Sequence, residues 1–201
     1  MTSEQRSPAG VAPSARTRIL RATLELVAEG SVDAVTHRAV AARAGVSPGS
    51  TTHHFATREE LVREAFRHYL QVGETRIRAL LGQYSHGEDP LDRVAAILTT
   101  VVGRDFTGGL VRAEYELLLH ACTDPELASE VRAWEDRLVG GLAQALERGD
   151  VARPMRTARI LVNLARGYEL EAMLNPALMS SDFRDRIEVI LAALAPREDR
   201  A

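Results

Sequence analysis

A chain of 201 residues with 45% hydrophobic and 26% charged residues holds enough apolar material for a sizeable core, which excludes a disordered chain. Its formal net charge of −3 argues against a general nucleic-acid coater, and no apolar run approaches the roughly eighteen residues of a membrane span. Cys122 is the only cysteine, which excludes an internal disulfide and any multi-cysteine metal site.

Residues 1–13 are rich in Ser, Pro, Ala and Gly and lack the apolar run of a signal peptide. They read as a flexible arm of a cytoplasmic protein. Every one of the 25 basic residues is arginine, which reflects codon usage before it reflects function. Charge is uneven along the chain. Residues 1–70 carry 9 Arg against 7 acids, and residues 71–201 carry 16 Arg against 21 acids. A slightly basic head on an acidic body suits specific phosphate contact by one small module.

The pattern is helical throughout, with no sustained period-two alternation and no internal repeat, so an all-α fold is expected. A first helix over about 14–29 places Ile19, Leu20, Thr23, Leu24, Leu26 and Val27 on one stripe and stops at Gly30. Thr36 caps a short second helix that ends at Gly45. Ser47 caps a third, and Pro48 occupies its first position, where a missing N–H costs nothing. Thr57 and Glu60 form a capping box for a long fourth helix reaching about Leu81.

Two short helices joined by a glycine turn are the sequence form of a helix-turn-helix, whose second helix enters the DNA major groove. A DNA-binding domain is therefore expected over 14–70, followed by a body over 71–196, with the boundary inside helix four near 68–72. Ser47, Pro48, Gly49 and Ser50 lie at the start of the third helix. Gly49 lets the backbone approach a base edge or phosphate, and free N–H groups there favour an anion. Thr52 and His53 follow one turn on, and a threonine reads bases loosely. Adjacent His53 and His54 point about 100° apart, so they do not chelate a metal together.

The body begins again at Asp89-Pro90, with helices expected over about 90–103, from Gly108-Gly109 to 121, 125–148, 155–174 and 181–195. Candidates for a ligand pocket are Phe106, Tyr115, Leu118, His120, Trp134, Leu138, Asn163, Tyr168 and Met173. Glu169 and Glu171 interrupt the apolar pattern and lie about 200° apart around the axis, so only one can face a pocket, where it would favour a cation. The stripes Ile160, Leu161, Leu164, Tyr168 and Phe183, Ile187, Ile190, Leu191, Leu194 suit pairing of two helices per subunit across a twofold axis. Gly140-Gly141 permits either a close approach or a bend, and Cys122 is expected to be a buried, inert thiol. No nucleophile–base pair, phosphate loop or metal constellation is present, so no enzyme and no cofactor are expected.

The run Thr36-x-Arg38-x-Val40-Ala41-x-x-Ala44-Gly45-Val46-Ser47, then His54-Phe55, then Arg58-Glu59-Glu60-Leu61, resembles the tetracycline-repressor-like (TetR) family of bacterial transcriptional regulators. Asp124-Pro125-Glu126-Leu127 is similar to that family's usage at the start of a seventh helix. The resemblance implies a homodimer on double-stranded operator DNA and a body that binds a small-molecule effector. It implies that the start of the second helix clamps the phosphate backbone, where Thr36 and Arg38 match directly and His37 stands where a small hydroxyl residue is common, with His54 and Arg58 matching further contact positions. The chain departs from the family at Thr51-Thr52, where a large apolar residue and a tyrosine are usual. A partly ordered third helix is one consequence to test. The rivals to a ligand-relieved repressor are an activator and a helical small-molecule-binding protein whose DNA-reading head is vestigial.

Overall fold

The computed structural model describes residues 13–82, 92, 94–99, 110–175, 177–178 and 180–194. Regular structure among the described residues is helical. It runs α1 (Ala15–Glu29), a 3-10 turn (Val32–Ala34), α2 (His37–Ala44), α3 (Pro48–His54) and α4 (Arg58–Gly82). α5 (94–99), α6 (Leu110–Ala121), α7 (Pro125–Glu147), α8 (Pro154–Leu174) and α9 (Ser180–Leu194) follow. No helix among the described residues is long and apolar enough to cross a membrane.

Local chemistry sets the boundaries. Ser14 Oγ accepts from Thr17 N to start α1, and Thr36 Oγ1 accepts from Ala39 N to start α2. Gly45 ends α2 in the left-handed region, at φ 63°, which lets Val46 N donate to Ala41 O at 3.0 Å. Ser47 Oγ accepts from Ser50 N at the start of α3. The capping box of α4 takes a shifted form: Thr57 Oγ1 accepts from Glu60 N, while the Glu60 carboxylate accepts from Ala56 N at 2.7 Å. The 3-10 turn after α1 has no counterpart in the sequence reading; Ser31 caps it by accepting from Asp33 N. At the α7–α8 corner the left-handed positions are Asp150 and Arg153, not Gly149. Burial of Val151, whose N–H donates to Leu146 O, draws the turn into that shape.

Two apolar cores form. The first joins Ile19, Leu20, Val27, Phe55, Leu61 and Phe66 of the head to Ala113, Leu117, Leu127 and Trp134 of α6 and α7. The second joins Ile97 and Leu98 to Leu142, Leu146, Leu161, Tyr168, Phe183 and Ile187 of α7, α8 and α9. A cut at residue 70 would run through the first core, so the packing seam lies beyond the boundary expected in α4. Gly140 makes no close approach among the described residues, since an added Cβ would meet nothing there within 4 Å.

The expected dimer stripes need correction. Leu161, Tyr168, Phe183 and Ile187 are at most 1% exposed and Leu191 is 4% exposed. They face each other across α8 and α9, with the Tyr168 and Phe183 rings 4.9 Å apart. Of the set, Ile160 is exposed, Leu164 and Ile190 are half-buried, and the Leu194 side chain lies outside the described residues. Cys122 is also not buried: it is exposed at the α6–α7 corner.

Arginine–carboxylate pairs tie α4 to α7. Arg63 donates to Asp124 Oδ2 at 2.9 and 3.1 Å, Arg67 reaches Glu130 and Glu126, and Arg137 donates to Glu74. Asp124 Oδ1 caps α7 by accepting from Glu126 N and Leu127 N. The Leu127 amide, then Arg63, hold the Asp124 carboxyl below its ordinary value of 3.8.

Two predictions follow from these contacts. Gly45→Ala forces a side chain into the left-handed region and should cost about 1–2 kcal/mol, seen as a lower Tm, whereas Gly49→Ala should cost nothing, since open space surrounds it. Asp124→Asn should lower Tm at pH 7. A depressed native pKa stabilises the fold above the unfolded value, and that contribution is lost as pH falls through the native value. The gap between wild type and variant should therefore close below about pH 3.8. A gap of constant size down to pH 2 would contradict the assignment.

Candidate nucleic-acid interface and ligand cavity

The α2–turn–α3 unit presents one exposed face. Thr36, Arg38, Ser47, Pro48, Gly49, Thr52 and His53 are exposed on it, and Ser50 and His54 are half-buried. Thr51 points the other way and is fully buried, with its hydroxyl donating to Pro48 O at 2.8 Å. A small residue thus serves as the inward anchor of α3 because its polar atom is satisfied inside the helix. Phe55 closes α3 from below, 1% exposed, with the Arg16 guanidinium 5.4 Å from its ring centroid. Thr52 Oγ1 donates to Gly49 O, leaving its methyl as the group free to meet a base. The His53 and His54 rings meet edge to face at 5.4 Å.

Two of the expected phosphate contacts have other roles. Both ring nitrogens of His37 are buried without a hydrogen-bond partner among the described residues, so the backbone N–H at the start of α2 is the group it can offer a phosphate. Arg58 donates to Val35 O at 2.9 Å and Val32 O at 2.7 Å, tying α4 to the 3-10 turn. The sequence reading missed Arg43, which forks onto Glu29 at 2.8 and 2.6 Å and touches Glu25 at 3.4 Å, locking α2 to α1.

A cavity of about 350 Å³ lies at the seam between the two cores. Arg21, Leu24 and Glu25 of α1 line it, facing His68, Tyr69, Val72, Gly73, Arg76 and Ile77 of α4. Its other walls are Ile97 and Leu98 of α5, Glu114 of α6, Trp134, Leu138 and Leu142 of α7, and Val162, Ala165, Arg166 and Glu169 of α8. The buried residues Ile97, Leu142, Val162 and Glu169 form its floor, and exposed Arg21, Glu25 and Val72 form its mouth. Of the nine expected lining residues, Trp134 and Leu138 line it.

Six of the other seven do not join them. Tyr115 stands behind the wall, donating its hydroxyl to Arg166 O at 2.5 Å. Tyr168 belongs to the second core, Asn163 is exposed on α8, and Phe106 lies outside the described residues. Leu118, His120 and Met173 are half-buried away from the cavity.

The cavity lining carries three arginines, Arg21, Arg76 and Arg166, and three glutamates, Glu25, Glu114 and Glu169. Glu169 is 7% exposed, and its carboxylate sits against the Tyr115 hydroxyl. Burial, then the charges of Glu169 and Glu114, push the Tyr115 phenol up, so it stays a proton donor. Tyr69 donates its hydroxyl to Glu114. Arg166 pairs with Glu135 through Nη1 at 2.5 Å, while its Nη2 is buried without a hydrogen-bond partner among the described residues. Burial, then Arg21 and Arg16, hold His68 below its ordinary value, so it is neutral at pH 7. Glu171, on the opposite face of α8, pairs with Arg186 at 2.6 Å, which separates the two glutamates as their spacing requires. Among the described residues no group of three His, Cys, Asp or Glu could hold a metal ion.

A helix-turn-helix head, a long shared helix and a largely apolar cavity between head and body define a DNA-binding transcriptional regulator. The family description "Bacterial regulatory proteins, tetR family" matches residues 19–65, and "Tetracyclin repressor-like, C-terminal domain" matches residues 89–197. The chain belongs to the tetR family of bacterial regulatory proteins.

The chain is 28% identical over 142 residues to the HTH-type transcriptional regulator BetI of Stenotrophomonas maltophilia, covering 69% of this chain and 70% of that protein. The multidrug binding protein EbrR, complexed with imidazole, is 31% identical, with a TM-score of 0.64 over 94% of this chain and 93% of that one. A transcriptional regulator from Rhodococcus sp. Rha1 shares the fold at a TM-score of 0.76 and 24% identity, over 90% of this chain and 96% of that one.

Proposed function

We propose that the protein is a homodimeric repressor that binds a pseudo-palindromic operator in the cytoplasm and is released by a small-molecule effector. One observation carries the reading. α4 anchors the DNA-reading unit at one end through Leu61, Val62 and Phe66, and lines the cavity at the other with six residues from His68 to Ile77. A ligand that prefers one position of this helix lowers operator affinity by linkage. The complete α3 with its buried, satisfied Thr51 favours a working head over a vestigial one.

Gly49, Thr52, His53 and His54 would face the groove, with Thr36, Arg38, Ser47, Ser50 and the amide of His37 on the backbone. Dimerisation would use the exposed side of α8 in place of the buried stripes. Ile160, Asn163, Gly167, Leu170 and Leu174 recur there at spacings of three and four, beside exposed Val189 of α9.

The effector class is read from the lining. Glu169 on the floor and Glu114 on the α6 wall stand beside phenol hydroxyls, Trp134 and an aliphatic wall, which suits an organic cation with an apolar body. EbrR has also been described with ethidium, an aromatic cation, in a structure 29% identical to this chain.

Selection from random duplex DNA should enrich two inverted half-sites that bind less tightly as salt rises. Gly49→Leu should fold and lose at least about tenfold in specific affinity by anisotropy, because bulk there holds the helix off the groove. No enrichment by the wild type would refute DNA reading. Trp134 is the only tryptophan, so its emission reports cavity occupancy. Hexyltrimethylammonium should perturb it far more than hexanesulfonate, and Glu169→Gln should weaken the cation by about tenfold. Equal response to both ions would defeat the cation assignment.

A further inference from the structure

The cavity does not stay within the body. Arg21, Leu24 and Glu25 of α1 form one side of it, and α1 is the first helix of the DNA-reading head. Leu24 is 6% exposed and packs in the first core, while Arg21 and Glu25, four residues apart, edge the mouth. The same helix carries the helix-turn-helix. Arg43, two residues before the Gly45 turn, forks onto Glu29 and reaches Glu25. Arg16 lies over Phe55 at the end of α3. Glu25 therefore faces the cavity and touches α2 with one carboxylate.

The two walls of the mouth are held by different neighbours. α4 is joined to α7 by the Arg63–Asp124, Arg67–Glu130 and Arg137–Glu74 pairs. α1 packs in the first core against Leu117 of α6, pairs with α4 through Arg16–Glu64, and accepts from Arg112 of α6 on Gly30 O at 2.8 Å. The stretch that edges the cavity lies between Arg16 and Gly30. Packed elements shift as units and do not deform continuously, so a ligand pressing on that stretch moves α1 as a whole.

We infer that α1 is itself an effector-sensing wall. A ligand that fills the mouth meets the DNA-reading head directly and displaces α1, and with it α2 and α3, without the signal having to travel along α4. The inference rests on the reading of the cavity as the effector site and assigns the element through which that site acts. Mouth-filling groups control release, while floor contacts control affinity.

The test places bulk in the mouth without any natural effector. Cys122→Ser removes the only cysteine. Val72→Cys, from the α4 side and 53% exposed, and Arg21→Cys, from the α1 side, are each labelled with N-cyclohexylmaleimide. Gln71→Cys, exposed on α4 and outside the lining, carries the control label. Two readouts compare labelled with unlabelled forms of each variant: anisotropy on the selected operator, and amide hydrogen exchange over 37–44.

Mouth labels should lower operator affinity at least about tenfold and speed exchange in α2, with the control label doing neither. Mouth labels that leave both readouts unchanged, or a control label that changes them equally, overturn the inference. The exchange readout needs no DNA. If no operator is selected, the repressor reading falls while accelerated exchange in α2 still supports α1 as the sensing wall, and unchanged exchange refutes it.

Discussion

The apolar side of α1 is shared by two neighbours, and the architecture depends on how that burial is divided. Ile19, Leu20 and Val27 cannot be covered by the short helices α2 and α3 alone, which offer mainly Val40, Ala41, Thr51 and Phe55. Leu61 and Phe66 of α4 and Leu117 of α6 complete the cover. Fully burying one such side chain contributes roughly 1.5–3 kcal/mol, so a head cut away from α6 and α7 would lose much of its stabilisation. The DNA-reading unit is thus built into the body by its core. The arginine ladder from α4 to α7 adds orientation more than stability, because half-exposed ion pairs contribute little each.

That shared burial places the cavity. The first core ends near Trp134 and Leu138, and the second begins near Leu142. Two cores meeting along the same α4 and α7 leave a gap where neither fills the space, and the gap opens beside α1. A small molecule there occupies the joint between head and body. Linkage then requires only that the molecule bind one arrangement of the joint better than another.

Much of this was legible in the residues. Caps and breakers are local chemistry, so Thr36, Gly45, Ser47, Thr57 and Asp124 mark helix ends in the sequence as they do in the structure. The glutamate that faces the cavity was visible as a break in an apolar stripe. The dimer stripes were misassigned for a physical reason. An amphipathic helix announces that one face is buried, not whether its cover comes from the same chain or another. Leu161 and Phe183 announce burial and find each other. Ile160, Leu170 and Leu174, exposed on the far side of α8, were half hidden in the pattern by Asn163 and Gly167. The cavity was mostly missed because a seam is defined by which flanks of several helices fail to meet. Periodicity along one helix carries no information on that, so Arg21 and Glu25 of α1 gave no sign of lining it.

The groove face of α3 carries a final consequence for the repressor reading. Gly49 offers only backbone, Ser50 is half-buried, and the Thr52 hydroxyl is engaged by Gly49 O. Few long donors reach base edges, so direct readout per half-site is thin compared with a helix presenting arginine or glutamine. Backbone amides and phosphate contacts position the unit without naming a sequence. Discrimination must then draw on the distance and angle between two heads, matched to groove spacing and to DNA shape. Such a reader is sensitive to geometry in proportion. A shift that a richly contacting helix could absorb by re-aiming long side chains would here break the match, so on the proposed reading a modest displacement of the joint at α1 would be enough to release the operator.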